Sequence, residues 1–114
     1  FMHELSIALS ILDLVALEAI KQKAHEVKEI ELEVGHWAGV DISALSFSMR
    51  AAQRYSPFEK ARVTIVEVPP VSHCKVCGCQ FAPTHQFCGC PHCHSADTEL
   101  LQGRELRLKS ILVE

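Results

Sequence analysis

Residues 27–34 read Val-Lys-Glu-Ile-Glu-Leu-Glu-Val, and this stretch decides how the chain folds. From Glu29 to Val34, glutamates alternate with Ile, Leu and Val, which is the two-residue period of a β-strand. Such a strand has one buried face and one face in water. The three glutamates are interpreted as the solvated face, and the apolar side chains predict a core that the flanking segments complete.

Helical patterns lie on both sides of this strand. From residue 5 to about residue 24, apolar side chains recur at the spacing of one face of an amphipathic helix. After a glycine-bracketed loop, Asp41 is a good N-cap for a second helix. That helix should end before Pro57, because the residue preceding a proline avoids the helical region. Its expected inner face consists of Leu45, Ser48, Met49 and Ala52.

Two further strands complete the predicted main domain. Residues 63–68 form one strand that ends at a Pro-Pro pair, and residues 105–114 form another that needs an earlier strand beside it. Between them, periodicity gives way to Cys, His, Gly and Pro. The sequence therefore predicts an α+β fold of two helices on a three-stranded sheet, with a small zinc-ribbon-like module inserted. The predicted domains are residues 1–70 plus 103–114, and residues 71–102.

Composition restricts the class of protein. All six cysteines lie between Cys74 and Cys93, which is too local for a disulfide scaffold and is typical of a metal module. No apolar run is long enough to cross a membrane, and no signal peptide is evident, so we expect a cytoplasmic protein without a membrane partner. A net charge of -3 gives no broad attraction for phosphate backbones, and nucleic acid is not an expected partner.

The cysteine spacing predicts a zinc site. Cys74 and Cys77 form one Cys-x-x-Cys pair, followed by Gly78, and Cys90 and Cys93 form a second pair, with twelve residues between the two pairs. Each pair directs two thiolates at one ion about 2.3 Å away, and two pairs complete a tetrahedron. Structural zinc is the favoured interpretation, and redox thiols or an iron cluster are the alternatives.

Two additional thiols complicate this assignment, since Cys79 and Cys88 each lie beside a pair. The simpler interpretation is that they have no ligand role. Ligand exchange is the other interpretation, in which nearby histidines also enter the shell: His73, His85, His92 and His94.

The N-terminus offers a second set of donors. The chain opens Phe1-Met2-His3-Glu4, and Phe1 is interpreted as a remnant ahead of the natural first residue, Met2. From Met2, the amine, the deprotonated His3 amide and its imidazole provide three nitrogens in one plane, with a backbone amide or the Glu4 carboxylate near the fourth corner. Such a set suits Ni(II) or Cu(II). Taken alone, the histidine is more simply a surface residue.

The whole chain nevertheless resembles the HypA/HybF family of hydrogenase-maturation nickel metallochaperones. The resemblance lies in the order helix, strand, helix, strand, in the two cysteine pairs, and in short motifs at both ends. These motifs are Met2-His3-Glu4-Leu5, Gly103-Arg104-Glu105-Leu106, Lys109-Ser110 and Val113-Glu114.

The resemblance implies a nickel site at Met2, His3 and Glu4, which carries Ni²⁺ as cargo, and a structural Zn²⁺ at the four paired cysteines. It implies delivery of nickel to the large subunit of nickel-iron hydrogenase with a partner GTPase and, in some bacteria, to urease through its accessory proteins. It also places an acidic residue at position 41, near the N-terminal nickel site. We interpret Asp41 first as a helix cap. Phe1 and the two additional thiols depart from the family pattern.

Two other functional classes lack the residues that they would need. A zinc-ribbon nucleic-acid or transcription module would need basic or aromatic residues around the ribbon, and residues 72–97 contain one lysine, no arginine and two phenylalanines. A metallo-hydrolase would need an open metal site, and no His-Glu-x-x-His spacing is present. The sequence shows no catalytic machinery, and we expect the protein not to be an enzyme.

Overall fold

A computed structural model describes residues 2–114, with side chains from His3 onward. It contains two helices and six strands within that range. In chain order these elements are α1 (Met2–Lys21), β1 (Val27–Gly35), α2 (Ile42–Gln53), β2 (Arg62–Val68), β3 (Val71–Cys74), β4 (Gln80–Phe81), β5 (Thr98–Gln102) and β6 (Leu106–Val113).

The stretch 27–34 forms the central strand of the first sheet, whose order is β2-β1-β6. β2 runs parallel to β1, with Ile30 opposite Val63, and α2 provides the crossover that a parallel pair requires. β6 runs antiparallel on the other side, with Ile111 opposite Ile30. The C-terminal strand thus lies beside an earlier strand, as its apolar pattern predicted.

Both helices contribute to the core that covers the apolar face of β1. Ile30, Leu32 and Val34 are fully buried, together with Val15 of α1 and Leu45 of α2. Burial of each such side chain stabilises the fold by about 1.5–3 kcal/mol. None of the side chains in this core comes from residues 71–102 of the described chain. The predicted α+β architecture of two helices on a three-stranded sheet is confirmed.

The glutamates of β1 lie on the opposite, solvated face, and each is paired with a cation of a neighbouring strand. These ion pairs join Glu29 to Arg62 at 3.7 Å, Glu31 to Lys109 at 3.1 Å and Glu33 to Arg107 at 2.6 Å. Opposite charges directly across a sheet support its register. The pairs therefore help to fix the order of the three strands.

The ends of α1 differ from the predicted range of 5–24. At the C-terminal end, Lys23 takes a left-handed conformation (φ 52°), and the N–H groups of Lys23 and Ala24 donate to the carbonyls of Ile20 and Ala19. This is a Schellman motif, which ends the helix at Lys21 although the apolar pattern continues. At the other end, the helix already includes Met2.

The second helix begins and ends close to the predicted positions. The Asp41 carboxylate accepts a hydrogen bond from the Ala44 N–H at 3.0 Å, so Asp41 is the N-cap. The helix ends at Gln53, before Pro57. The Gln53 side chain then donates to the carbonyls of Phe58 and Ala61, at 2.9 Å each, and so anchors the loop that leads into β2.

A second three-stranded sheet, of order β4-β3-β5, lies in the cysteine-rich region, where the sequence shows no periodicity. Both neighbours of β3 run antiparallel to it, with Ser72 opposite Phe81 and Leu100. β4 has only two residues and β3 only four. Segments this short cannot display a period, so their strand character was not predicted.

The two sheets meet at a junction of closely packed backbone. The Gly35 N–H donates to the carbonyl of Glu105, and the Trp37 N–H to that of Gly103, both at 2.7 Å. A Cβ on Gly35 would collide with the Gly103 carbonyl, and a Cβ on Gly103 would lie 2.8 Å from the Pro70 Cα. Only glycine permits this approach of the chain segments that enter and leave the cysteine-rich region.

Candidate metal centres

The first cysteine pair forms a tight knuckle at the end of β3. The Cys77 N–H donates to the Cys74 sulfur at 3.4 Å, and the Gly78 N–H donates to the Cys74 carbonyl at 3.0 Å. Gly78 has φ 79°, a left-handed conformation that glycine adopts without strain. The Cys74 N–H then donates to the Cys79 carbonyl at 2.8 Å and closes the turn.

The second knuckle repeats these contacts, residue by residue, sixteen positions later. The Cys93 N–H donates to the Cys90 sulfur at 3.4 Å, and the His94 N–H donates to the Cys90 carbonyl at 2.9 Å. The Cys90 N–H closes the turn on the Ser95 carbonyl, also at 2.9 Å. Ser95 therefore stands where the first knuckle has Cys79, and His94 stands where it has Gly78.

The two knuckles bring four sulfurs together. The Sγ atoms of Cys74, Cys77, Cys90 and Cys93 all lie within 4.8 Å of one another. Cys74 and Cys93 are 3.5 Å apart, and Cys77 and Cys90 are 3.7 Å apart. A tetrahedron with metal–sulfur distances of about 2.3 Å has edges of about 3.8 Å. The four thiols therefore fit a tetrahedral zinc ion.

Thiolate character is distributed unevenly over the cluster. The Cys77 N–H lowers the pKa of Cys74 to about 6, and the Cys93 N–H likewise lowers the pKa of Cys90. The Cys79 N–H acts to lower the pKa of Cys77, but desolvation and the neighbouring sulfurs outweigh it and raise that pKa to about 12. The Ser95 N–H acts to lower the pKa of Cys93, but the neighbouring sulfurs, above all that of Cys74, outweigh it and raise that pKa. A cation is what would allow all four to ionise together.

The additional thiols lie outside the four-sulfur cluster. Of the residues described, only the four paired cysteines form a group of three or more metal-ligating side chains. The Cys79 and Cys88 sulfurs instead contact the carbonyls of Gln80 and Gly89, each at 3.4 Å. Among the nearby histidines, His73 lies 3.7 Å from Glu99, and His85 contacts Thr84 at 3.0 Å.

In the first helix, the first turn of α1 contacts the N-cap of α2. The Asp41 N–H donates to Glu4 Oε2 at 3.4 Å, and His3 Nδ1 lies 3.8 Å from the same oxygen. The Glu4 side chain is 9% exposed, whereas that of His3 is 66% exposed. The structure thus brings His3, Glu4 and Asp41 together. Phe1 and the Met2 side chain lie outside the part that the structure describes.

The hydrogen bond from Asp41 holds Glu4 in place as a negative charge. The Asp41 N–H is the main cause that lowers the pKa of Glu4, and it keeps the carboxyl ionised near neutral pH. A carboxylate beside an exposed imidazole can bind a divalent cation. The sequence points to His3 and Glu4, but the burial of Glu4 and its contact with Asp41, 37 positions away, depend on the packing of α1 against α2.

Comparison with known proteins gives a consistent result over the whole chain. A family model described as "Hydrogenase/urease nickel incorporation, metallochaperone, hypA" matches residues 2–113. Two relatives named hydrogenase maturation factor HypA, from Chlorobium phaeobacteroides (strain BS1) and Parabacteroides distasonis, are each 42% identical. The matches cover 99% of this chain and 100% and 98% of those proteins.

Solved structures resemble the fold as well. The solution structure of the Ni metallochaperone HypA from Helicobacter pylori is 28% identical, with a TM-score of 0.69 over 96% of each chain. A second solution structure of a HypA protein is 27% identical, with a TM-score of 0.74 over 100% of this chain and 98% of that one. From the family match and the relatives, we conclude that the chain belongs to the HypA family of nickel-incorporation metallochaperones for hydrogenase and urease.

Proposed function

We propose that this chain binds Ni(II) at its N-terminus through Met2, His3 and Glu4 and delivers it for the maturation of nickel-iron hydrogenase. Membership of the HypA family is the observation that carries the proposal. The contact between Glu4 and the Asp41 N–H supports it, because it fixes a carboxylate beside the His3 imidazole.

The helical first turn suits this role. The first N–H groups of an α-helix have no partner within the helix, so deprotonation of the His3 amide would cost α1 no internal hydrogen bond. The amine of Met2, the His3 amide and the His3 imidazole would supply three nitrogens in the plane, and Glu4 or a backbone amide would complete it. Nickel is cargo in this scheme, so exposure of His3 favours its release to a partner.

The zinc ion is proposed to be structural and held by Cys74, Cys77, Cys90 and Cys93. Four sulfurs at tetrahedral spacing leave no open position for a substrate, which favours a structural over a catalytic metal. We further propose that residues 71–102 form a zinc domain separate from residues 1–70 plus 103–114. The support is that the apolar core draws no side chain from residues 71–102.

The partners follow from the family. We propose that the chain works with the GTPase of hydrogenase maturation and the hydrogenase large subunit and, where urease is present, with urease accessory proteins.

Among the described residues, no helix is both long and apolar enough to span a bilayer. A cytoplasmic location is proposed because reduced thiols persist there as metal ligands. We propose that the protein is not an enzyme, and family membership disfavours the zinc-ribbon nucleic-acid alternative.

Calorimetric titration with Ni(II) tests the nickel site on protein that begins at Met2. We expect His3→Ala, or acetylation of the terminal amine, to weaken nickel binding by more than about tenfold, because each removes one of four in-plane donors. Zinc content should not change. Glu4→Gln should weaken binding more in protein that begins at Met2 than in protein that begins at Phe1, where a second amide can complete the nitrogen set.

The matched control is His25→Ala, which removes an exposed histidine beyond the other end of α1. It should leave nickel affinity unchanged. If neither His3→Ala nor amine acetylation changes that affinity, nickel binds elsewhere and the N-terminal assignment is wrong.

A further inference from the structure

A groove of about 680 Å³ lies between the outer side of α2 and the start of β2, at the edge of the first sheet. The helix contributes Phe47 and Arg50, and Arg54 and Tyr55 follow directly after it. Ala61 and Val63 contribute the wall on the β2 side. The groove is separate from both metal centres, since it contains none of their proposed ligands.

The aromatic residues of the groove are unusually accessible. Phe47 is 65% exposed and Tyr55 is 91% exposed, although α2 buries its other face in the core. Exposed aromatic side chains beside arginines have the composition of the energetically dominant residues of protein interfaces. Packing within this chain therefore does not explain why Phe47 and Tyr55 are aromatic.

The arginines of the groove differ from the cations on the solvated face of the sheet. Arg62, Arg107 and Lys109 each pair with a glutamate of β1. Within the described chain, Arg50 and Arg54 take part in no ion pair, and Arg50 donates a hydrogen bond to the Ser46 hydroxyl at 3.3 Å. One carboxylate, that of Glu59, also lines the groove. The groove thus carries two arginines and one carboxylate, which leaves an excess of positive charge.

The opposite wall offers backbone hydrogen-bonding groups. β2 is an outer strand of the sheet, with β1 on one side and no strand on the other among residues 2–114. Between the charged residues Arg62 and Glu67 of this strand, residues 63–66 read Val-Thr-Ile-Val and offer an uncharged stretch without proline. An extended segment could add to such an edge through main-chain hydrogen bonds.

From these features we propose that the groove binds an extended, acidic segment of another protein. Carboxylates of the segment pair with Arg50 and Arg54, its apolar side chains contact Phe47 and Tyr55, and its backbone continues the sheet at β2. Single-stranded RNA can also use arginines and aromatic rings. The protein ligand is favoured because only a polypeptide backbone can extend the sheet at the β2 edge, and a nucleic acid cannot.

The test uses the zinc-loaded full chain, labelled with ¹⁵N, and a peptide of eight residues that alternates glutamate and leucine. We expect saturable amide shift changes confined to residues 46–63, and weaker binding as salt is raised. A peptide that alternates lysine and leucine should bind at least about fivefold more weakly. Failure of the acidic peptide to bind, or equal binding of the basic one, would overturn the proposal, as would tighter binding of oligouridine.

Two pairs of substitutions test whether the peptide binds in this groove. Arg54→Glu lies at the C-cap of α2, and Lys21→Glu at the last residue of α1, so both place an exposed negative charge at a helix end. Arg54→Glu should weaken peptide binding at least about fivefold, and Lys21→Glu less than about twofold. Phe47→Ala should weaken it, whereas Leu17→Ala, at an exposed position of α1, should not. Equal effects within either pair would contradict the proposed location.

Discussion

Gly78 and His94 occupy equivalent positions in the two knuckles, each directly after the second cysteine, and both have left-handed backbones with φ of 79° and 64°. Glycine takes this conformation freely, whereas a residue with a Cβ is strained there. The second knuckle therefore holds strain that the first one avoids.

We expect His94→Gly to stabilise the zinc-loaded region and Gly78→Ala to destabilise it, each by about 1 kcal/mol. A Cβ on Gly78 would meet no atom within 4 Å, so the cost of Gly78→Ala isolates backbone strain from collision. Resistance of zinc to a competing chelator measures both variants. Loss of zinc from His94→Gly at a lower chelator concentration than from the wild type would mean that the imidazole contributes more than its strain costs.

Removal of a zinc ligand should unfold residues 71–102 and leave the first sheet intact. Replacement of Cys74 or Cys93 is expected to lose one bound zinc per chain while the helical circular-dichroism signal persists, because α1 and α2 belong to a core without residues from this region. Cys79→Ser and Cys88→Ser are the matched controls, and their zinc content should stay at one per chain. Full zinc retention in both ligand variants would contradict the assignment.

Zinc binding should release protons, so its affinity should rise with pH. In the folded cluster, Cys77 and Cys93 hold their protons because their pKa values are raised, whereas Cys74 and Cys90 have lowered values. Binding to a folded cluster would therefore release fewer protons than binding to an unfolded one, which at pH 7, with thiol pKa values of about 8.5, would release about four.

We expect about four protons, since residues 71–102 lack an apolar core to fold around without the metal. Calorimetry in two buffers with different ionisation enthalpies counts them. A value well below four would show that the cluster is formed before zinc arrives.

The junction between the sheets should be intolerant of a side chain. We expect Gly35→Ala to destabilise the fold by about 3 kcal/mol or more, because its Cβ would collide with the Gly103 carbonyl, which cannot move without breaking its bond to the Trp37 N–H. Gly39→Ala is the control: its φ is 76°, and nothing lies within 4 Å of the added Cβ, so only about 1 kcal/mol is expected. Urea unfolding of both variants measures the difference.

The sequence by itself determined the features that depend on local pattern. The alternation in residues 29–34 predicted the central strand, Asp41 predicted the start of α2, and the cysteine spacing predicted the four sulfurs that the structure brings together. Each of these is encoded within a few neighbouring residues, where backbone geometry and side-chain chemistry are sufficient. The family resemblance likewise rested on motifs that can be read directly, and the comparisons confirm it.

Tertiary structure alone decided the relationships between distant residues. The parallel pairing of β1 with β2, the short strands around the knuckles and the end of α1 at Lys21 have no periodic signal. The burial of Glu4 against the Asp41 N–H and the unpaired arginines of the α2 groove depend on how helices pack and which strand lies at an edge. Such contacts are fixed by the summed packing of the whole core, and no single segment of sequence contains that information.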